Sequence, residues 1–285
     1  MTPDSITAGE VLRFDNVSLR FGDTQALDHL SFRMNAGETL VVFGAAGSGK
    51  TMLLKTALGL VKPDSGRITL FGLDITPLPE NRLFDIRAKV GILFQEGGLF
   101  DSLTIAENVA YPLINQRALR QGGGQVMSPQ EVEARVREAL RFVELEQTLE
   151  KYPSELSGGM RRRVGIARAA VTRPPLVLYD SPTAGLDPIT ANTIVNLIRK
   201  ERDSSNTAAI MVTHRYQDGH LMANFRYNPD SGQIEAASRN GAGGGRVNTR
   251  FLVMNAGRLV FEGSEEQLQA ARDSYIRKFV KSLGS

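Results

Sequence analysis

Short apolar runs recur along the chain, and each is bounded by residues that favour turns. They predict strands at residues 39–43, 67–71, 90–94, 176–179 and 208–212. Most of these runs contain no polar position, as is typical of strands that are buried on both faces of a parallel sheet. Helical segments separate several of them. The alternation predicts an α/β fold with a largely parallel sheet that is covered on both faces.

A different pattern precedes these runs. Between residues 11 and 32, apolar and polar positions alternate in short stretches, with a turn at Gly22 and Asp23. A period of two is typical of strands with one buried and one exposed face. We therefore predict an antiparallel β arm at the start of the chain.

The strand pattern stops between residues 105 and 171. Residues 131–143 carry apolar side chains at helical spacing, and Ser128 followed by proline is a typical helix start. We predict a helical subdomain over about residues 101–171, with a flexible loop at 121–125. The arm and core would occupy about residues 10–100 and 172–285 of a single domain spanning 1–285, interrupted by a flexible Gly-rich excursion at about 228–249.

The composition limits the possible functions. The chain of 285 residues is 41% hydrophobic, contains no cysteine and has a formal net charge of +3. No apolar run approaches the roughly 20 residues of a membrane helix, and the polar first ten residues do not resemble a secretory signal. The basic residues are scattered, and we interpret the run Arg161–Arg163 as a solvated helix face. We therefore expect no nucleic-acid binding.

A phosphate-binding loop follows the strand at 39–43 and opens a helix. Residues 44–51 match the pattern G-x-x-x-x-G-K-[ST] in the structural context that this motif requires. The glycines allow backbone N–H groups to face phosphate oxygens, the lysine reaches the β and γ phosphates, and the threonine hydroxyl ligates Mg²⁺. The predicted ATP-binding residues of this loop are Gly44, Gly47, Ser48, Gly49, Lys50 and Thr51.

A buried strand ends at Asp180, and its carboxylate is a second candidate for holding Mg²⁺ through water. Ser181 follows it directly. A serine hydroxyl has no pKa suited to a general base and can only help to orient a water molecule.

With these motifs, residues 156–160 (Leu-Ser-Gly-Gly-Met) make the chain resemble the ATP-binding cassette (ABC) family of transporter ATPases. The resemblance implies a RecA-like core with a phosphate loop, a β arm and an inserted helical subdomain. It implies that the signature residues Ser157, Gly158 and Gly159 cap the γ-phosphate bound on the other subunit of a head-to-tail dimer.

The same resemblance assigns roles to four further positions. Gln95 would be the glutamine that senses the γ-phosphate and contacts the metal, and His214 would be the switch histidine. Residues 184–187 would form a dimer contact. Phe21 would stack on adenine, although an aromatic of the arm's core is an alternative interpretation. The predicted catalytic set is Gln95, Asp180, Ser181 and His214. The predicted metal ligands are Thr51, Gln95 and Asp180.

Residues 94–113 are similar to the ATP-binding subunits of Mla- and Mce-type lipid transporters. The resemblance implies that an apolar patch of Leu99, Phe100, Leu103 and Tyr111 receives a short helix of a membrane permease. It further implies a protein held by that permease at the cytoplasmic face of the inner membrane, with an accessory cytoplasmic subunit and a substrate-binding protein as additional partners.

Ser181 is the main departure from the family, because glutamate is usual at that position. Three interpretations follow: slow hydrolysis supported by His214 and Gln95, replacement of the glutamate by another acid, or an ATP-gated regulatory subunit that rarely hydrolyses. An ABC importer of another substrate, and a soluble ABC protein acting on DNA or ribosomes, are further alternatives.

Overall fold

The computed structural model describes residues 9–115, 127–237 and 248–280. Its strands, in chain order, are β1 (Glu10–Phe21), β2 (Thr24–Asn35), β3 (Thr39–Gly44), β4 (Ser65–Leu70), β5 (Leu73–Asp74), β6 (Val90–Leu93), β7 (Leu176–Asp180), β8 (Ala208–Val212), β9 (Phe225–Asn228), β10 (Gln233–Ala236), β11 (Thr249–Asn255) and β12 (Arg258–Gly263). Its helices are α1 (Lys50–Ala57), α2 (Glu80–Arg87), α3 (Ile105–Asn115), α4 (Pro129–Phe142), α5 (Gly158–Ala170), α6 (Pro188–Ser205), α7 (Tyr216–Asn224), α8 (Glu265–Ala270) and α9 (Ser274–Val280).

The central sheet has the order β12-β11-β3-β8-β7-β6, and every neighbouring pair from β11 to β6 is parallel. Successive residues of its strands belong to two different hydrophobic cores. In β3, Val41 and Phe43 face the core that includes the helical subdomain, whereas Leu40 and Val42 face the core that includes the β arm. The predicted parallel sheet, covered on both faces, is confirmed.

The β arm is a second sheet of order β2-β1-β4-β5, and β1 and β2 turn at Gly22 and Asp23 as predicted. β4 belongs to this antiparallel sheet and pairs with β1, so it does not extend the parallel sheet. The first three residues of β4 are exposed, whereas every residue of β3, β7 and β8 is buried. This partial exposure is the physical difference between an arm strand and a central strand.

The helical subdomain is built from α3, α4 and α5. The predicted start of α4 is a capping box, in which Ser128 Oγ accepts from the N–H of Glu131 and the Glu131 carboxylate accepts from the N–H of Ser128. α4 packs on α3 and α5, and its buried Val136 and Leu140 belong to the core that they share with the central sheet. The inserted helical subdomain is therefore confirmed.

The predicted irregular excursion begins with ordered structure. β9 and β10 form an antiparallel hairpin whose turn is stabilised by the Asn228 side chain, because its Oδ1 accepts from the N–H groups of Asp230 and Ser231. A turn of this kind is typical of asparagine, and Gly232 provides the positive φ angle. The rest of the predicted excursion, residues 238–247, and the predicted loop at 121–125 lie outside the described residues.

In the described ranges, the structure contains no helix whose length and apolar character would allow it to cross a membrane.

We predict that the buried Glu201, in α6, makes the free energy of unfolding depend on pH. Burial raises the pKa of Glu201 to about 7, above its ordinary value of 4.5. Between these two values the folded chain holds a proton that the unfolded chain releases, so this contribution to stability is complete below pH 4.5 and is lost as the pH rises towards 7. The loss is up to about 1.4 kcal/mol per pH unit in this window. Urea unfolding of Glu201→Gln between pH 5 and 8 should show a flatter dependence.

The matched control is Glu133→Gln, because Glu133 is exposed on α4. Its unfolding free energy should follow that of the unmodified protein at each pH. An unchanged pH dependence in Glu201→Gln would contradict the assignment.

Candidate functional site

The carboxyl ends of four parallel strands bring the sequence motifs together. The phosphate loop follows β3, Asp180 ends β7, His214 comes two residues after β8, and Gln95 comes two residues after β6. These strands are neighbours in the order β3-β8-β7-β6. Because the carboxyl ends of parallel strands lie at one edge of a sheet, four segments that are distant in sequence lie at the same edge, and we refer to the region between them as the cleft.

The phosphate loop depends on glycine at two conformations that other residues rarely adopt. Gly47 has φ +76° and Gly49 has φ +101°, and α1 begins directly after Gly49. A Cβ atom on Gly49 would collide with the carbonyl oxygen of Ala26 in the arm. The loop therefore presents the N-terminus of a helix, where N–H groups and the helix dipole favour an anion.

Lys50 lies folded over this loop. Its Nζ donates to the carbonyl oxygens of Gly44 and Ala45, both at 2.8 Å, and lies 3.4 Å from Ser48 Oγ. Burial lowers the pKa of Lys50, and the negative charge of Asp180 opposes this shift. The lysine and the aspartate thus lie within electrostatic reach of each other across the cleft.

Tyr275 is a contact of this loop that sequence reasoning missed. The N–H of Ala45 donates to Tyr275 Oη at 3.0 Å, and Tyr275 Oη donates to the carbonyl oxygen of Met254 at 2.9 Å. The tyrosine lies 230 residues after Ala45, on α9, so no local pattern could have indicated it. The Ala45 amide is consequently engaged within the chain.

Asp180 and Ser181 form the opposite wall of the cleft. Asp180 is buried, and Ser181 Oγ donates to Asp180 Oδ1 at 3.1 Å. The Ser181 backbone has φ +50°, and its N–H donates to the carbonyl oxygen of Val212 at the end of β8. The serine hydroxyl therefore has its one proton engaged on the neighbouring carboxylate, and it can only accept a hydrogen bond from a water molecule.

The oxygen donors of this cleft fit Mg²⁺. In the described part of the chain, no group of three or more His, Cys, Asp or Glu side chains could hold a metal by itself. Thr51, Gln95 and Asp180 supply a hydroxyl, an amide and a carboxylate. Magnesium prefers hard oxygen ligands of this kind. The protein usually supplies only a few of them, and water molecules and nucleotide phosphates supply the others.

The signature residues lie at the start of α5. Ser157 Oγ accepts from the N–H of Met160 at 3.3 Å and caps the helix. Gly159 lies so close to α6 that a Cβ atom on it would come within 2.7 Å of Thr190 Cγ2. Arg162 Nη2 donates to the carbonyl oxygen of Ala184. The signature helix is therefore tied to the 184–190 segment.

The interpretation of the arginine run as a solvated face is wrong. All three side chains donate to backbone carbonyl oxygens. Arg161 donates to that of Leu156, Arg162 to that of Ala184, and Arg163 to that of Val143. Arg162 is buried. The run stabilises the structure around the signature helix.

Three candidate residues have exposed side chains. Phe21 is 51% exposed at the end of β1, and Gln95 and His214 are exposed at the sheet edge. Exposure makes Phe21 available for stacking and disfavours the alternative of a buried core aromatic. The adenine contact itself stays a prediction.

A groove of about 680 Å³ lies beside the residues that follow Gln95. Phe100 and Tyr111 are 42% and 41% exposed in it, with ring centroids 4.7 Å apart. The buried Asn108 fixes this loop, because its side chain accepts from the N–H of Phe100 and donates to the carbonyls of Phe100, Leu103 and Thr104. Leu99 and Leu103 are only partly buried. Of the four residues predicted as an apolar patch, Phe100 and Tyr111 line this groove, whereas Leu103 lines a different pocket and Leu99 packs against the core that includes the helical subdomain.

Comparison with known sequences gives a family match. The sequence model of the family described as "ABC transporter" matches residues 27–184. A methionine import ATP-binding protein MetN from Corynebacterium jeikeium is 37% identical over 80% of this chain and 61% of its own length. A protein of the same name from Bifidobacterium longum is 35% identical over 94% of this chain and 60% of its own. The chain thus spans about three fifths of the length of these relatives.

Comparison with solved structures gives the same fold. The dimeric ATP-binding cassette MJ0796 bound to ADP and Pi has a TM-score of 0.73 and 28% identity, over 89% of this chain and 98% of that chain. The cbiO1 protein from Clostridium perfringens, described as part of the transporter complex cbiONQ, has a TM-score of 0.73 over 96% of both chains. Its 24% identity supports the fold alone.

Proposed function

The chain belongs to the ABC transporter family, and we therefore propose that it is the ATP-binding subunit of a membrane transporter, coupling Mg-ATP binding and hydrolysis to a separate permease. The observation that carries this proposal is the meeting of the phosphate loop, Asp180, Gln95 and His214 at one edge of the parallel sheet. This arrangement supports binding of a nucleoside triphosphate with its γ-phosphate between the loop and Asp180.

Each residue of the cleft has a distinct role in this proposal. The N–H groups of residues 47–51 and the Lys50 ammonium would bind the phosphates, because both present positive potential to an anion. Thr51, Gln95 and Asp180 would hold Mg²⁺, which neutralises phosphate charge when it is bound. His214 would contact the γ-phosphate from the end of β8, and Phe21 would stack on adenine.

We propose that two copies enclose two ATP molecules head to tail. Ser157, Gly158 and Gly159 would contact the γ-phosphate on the opposite subunit, since they stand at a helix N-terminus. The similarity to a cassette solved as a dimer with ADP and Pi supports this arrangement. Ile189 in the segment after Asp187 is 81% exposed, as an apolar residue of an interface would be in a single chain.

The groove beside Phe100 is the proposed docking site of the permease. We expect Phe100→Asp to reduce capture of the permease from detergent-solubilised membranes by tenfold or more, because it places a charge in an apolar contact, and about 1.4 kcal/mol corresponds to tenfold in affinity. The measurement is the yield of a multi-spanning membrane protein that accelerates phosphate release by the tagged chain. Nucleotide affinity should not change.

A matched control for this substitution is Ile234→Asp, on the β9–β10 hairpin. Ile234 is as exposed as Phe100, at 42%. Equal loss of capture in both variants would indicate a nonspecific effect of charge, and undiminished capture by Phe100→Asp would exclude this groove as the docking site.

Two cargo classes have support. The relatives named for methionine import match 80% and 94% of this chain, which favours an importer of a small solute. The resemblance of residues 94–113 to lipid transporters covers a much shorter part, so a lipid cargo is the second proposal. Stimulation of phosphate release by methionine with its binding protein, or by lipid vesicles, in the purified transporter separates the two.

The location and further partners follow from the permease. We propose that the chain is held peripherally at the cytoplasmic face of the inner membrane, with a substrate-binding protein and an accessory cytoplasmic subunit as additional components. Cell fractionation with and without the permease tests the location.

A non-hydrolysing, ATP-gated regulatory subunit is the second candidate function. The observation that favours it is Ser181, whose hydroxyl is held on Asp180 and offers no general base. Tight ATP binding without phosphate release, even in the assembled transporter, would support this candidate over the first.

A further inference from the structure

Asp218 is a buried carboxylate for which the proposed nucleotide contacts give no role. It lies in the first turn of α7 and has no solvent-exposed surface. A carboxylate at such a position is costly to bury unless it has hydrogen-bond partners. Its partners therefore indicate why the fold retains it.

One oxygen atom of Asp218 holds two loops of the cleft. Thr183 Oγ1 donates to Asp218 Oδ2 at 2.5 Å, and Thr213 Oγ1 donates to the same atom at 2.7 Å. Thr183 comes two residues after Ser181, and Thr213 directly precedes His214. The carboxylate thus joins the loop of Ser181 to the loop of His214.

The second oxygen of Asp218 is not satisfied in this way. Oδ1 is buried and has no hydrogen-bond partner among the described residues, and Arg215 Nε lies 3.7 Å from it. A buried polar atom without a hydrogen bond typically costs about 1–3 kcal/mol. A purely structural link would be cheaper with an uncharged side chain.

The backbone adds a second link between the same loops. The N–H of Ser181 donates to the carbonyl oxygen of Val212 at 3.0 Å, and the N–H of Arg215 donates to Thr213 Oγ1 at 3.1 Å. The first bond joins the two loops, and the second orders the backbone around His214 within its own loop.

We propose that Asp218 is a positioning residue for hydrolysis, holding Ser181 and His214 in register through Thr183 and Thr213. The proposal rests on the proposed function, since it assigns a use to the relative position of two groups that would face the γ-phosphate. Displacement of a reacting group by about 1 Å can cost 10²-fold in rate.

Isosteric substitutions test the link without changing the volume of the core. We expect Thr183→Val and Thr213→Val each to lower the rate of phosphate release by about 10- to 100-fold, with nucleotide affinity within about threefold of the unmodified protein. The double variant should lose little more than either single variant, because both hydroxyls act through one carboxylate. Thr183→Ser and Thr213→Ser, which keep the hydroxyl, should restore most of the rate.

Asp218→Asn and Asp218→Leu form a second pair. The asparagine retains an oxygen acceptor for both hydroxyls and should keep more of the rate than the leucine. Thr148→Val is the matched control, because Thr148 is also buried and its hydroxyl donates to the Leu145 carbonyl in the helical subdomain. Its rate should equal that of the unmodified protein.

A spectroscopic readout keeps this test independent of hydrolysis. The chain has three histidines, so ¹³C-labelled histidine gives ring signals from three residues. Thr183→Val should shift the His214 signal, although Thr183 belongs to the other loop, whereas Thr183→Ser should not. Unchanged His214 signals, or rate losses that multiply in the double variant, would overturn the proposal. Absent hydrolysis with a shifted His214 signal would overturn the proposed ATPase activity and retain the link.

Discussion

The substitution Ser181→Glu is expected to raise the rate of phosphate release by about 10²–10⁴-fold, the usual contribution of a positioned general base. Glutamate would extend from the end of β7 towards the phosphate loop, where its carboxylate could accept a proton from a water molecule. The present serine cannot, because its hydroxyl donates to Asp180 Oδ1 and has no basic form at neutral pH. The measurement is steady-state phosphate release at saturating Mg-ATP.

Backbone strain does not complicate this substitution. Position 181 has φ +50°, a conformation that is uncommon for any residue with a Cβ atom. Serine also has a Cβ atom and already adopts this conformation, so glutamate adds no further backbone strain. Backbone strain alone should therefore change the thermal unfolding temperature little.

Ser181→Gln is the control for size and polarity. Glutamine fills the same volume and cannot act as a base, so its rate should stay at the level of the serine protein. If the unmodified protein already hydrolyses ATP at a rate that glutamate does not increase, another group has replaced the missing base. If glutamate produces no hydrolysis at all, the ATP-gated subunit becomes the better account.

The sheet and its motifs could be predicted because both signals are local. The strands β3, β7 and β8 are entirely buried, so their sequences are apolar at nearly every position. The phosphate loop requires glycines and a lysine within eight residues, and this pattern is specific without any tertiary information. The parallel direction of the strands then placed Asp180, Gln95 and His214 at the same edge.

Other features depend on contacts between distant residues. Asp218 occupies a helix position where an acidic residue is ordinarily exposed, and its partner Thr183 lies 35 residues earlier. The contact between Tyr275 and the phosphate loop spans 230 residues. No pattern of composition or period reports such pairs, because they depend on how complete elements pack.

The arginine run and the excursion illustrate a second limit. Charged residues on a helix after a polar motif are usually solvated, yet Arg162 is buried against the Ala184 carbonyl. Residues 228–237 contain turn-forming residues, which predicted irregular structure, whereas β9 and β10 pair on either side of a tight turn. Turn residues locate a change of chain direction and do not decide whether the flanking residues form a hairpin.

Lys50→Ala is expected to lower phosphate release by about 10²–10³-fold, the usual cost of removing one preorganised group that stabilises transition-state charge. The Nζ atom lies over the loop, 2.8 Å from the Gly44 and Ala45 carbonyl oxygens, and the partial burial of Lys50 lowers its pKa. A positive charge in such surroundings interacts more strongly with phosphate than one in water. Phosphate release and ATP affinity should be measured together.

This prediction requires a positive charge at the position of Lys50, and not merely a positive charge anywhere on α1. Lys55→Ala removes a charge from the last turn of the same helix and should leave both quantities unchanged. Lys50→Arg keeps the charge but has a planar, larger head that cannot occupy the same hydrogen-bonding position, so it should also fail. Should Lys50→Ala retain full activity while binding ATP normally, hydrolysis would not depend on this loop, and a contaminating ATPase or a different site would have to account for the phosphate released.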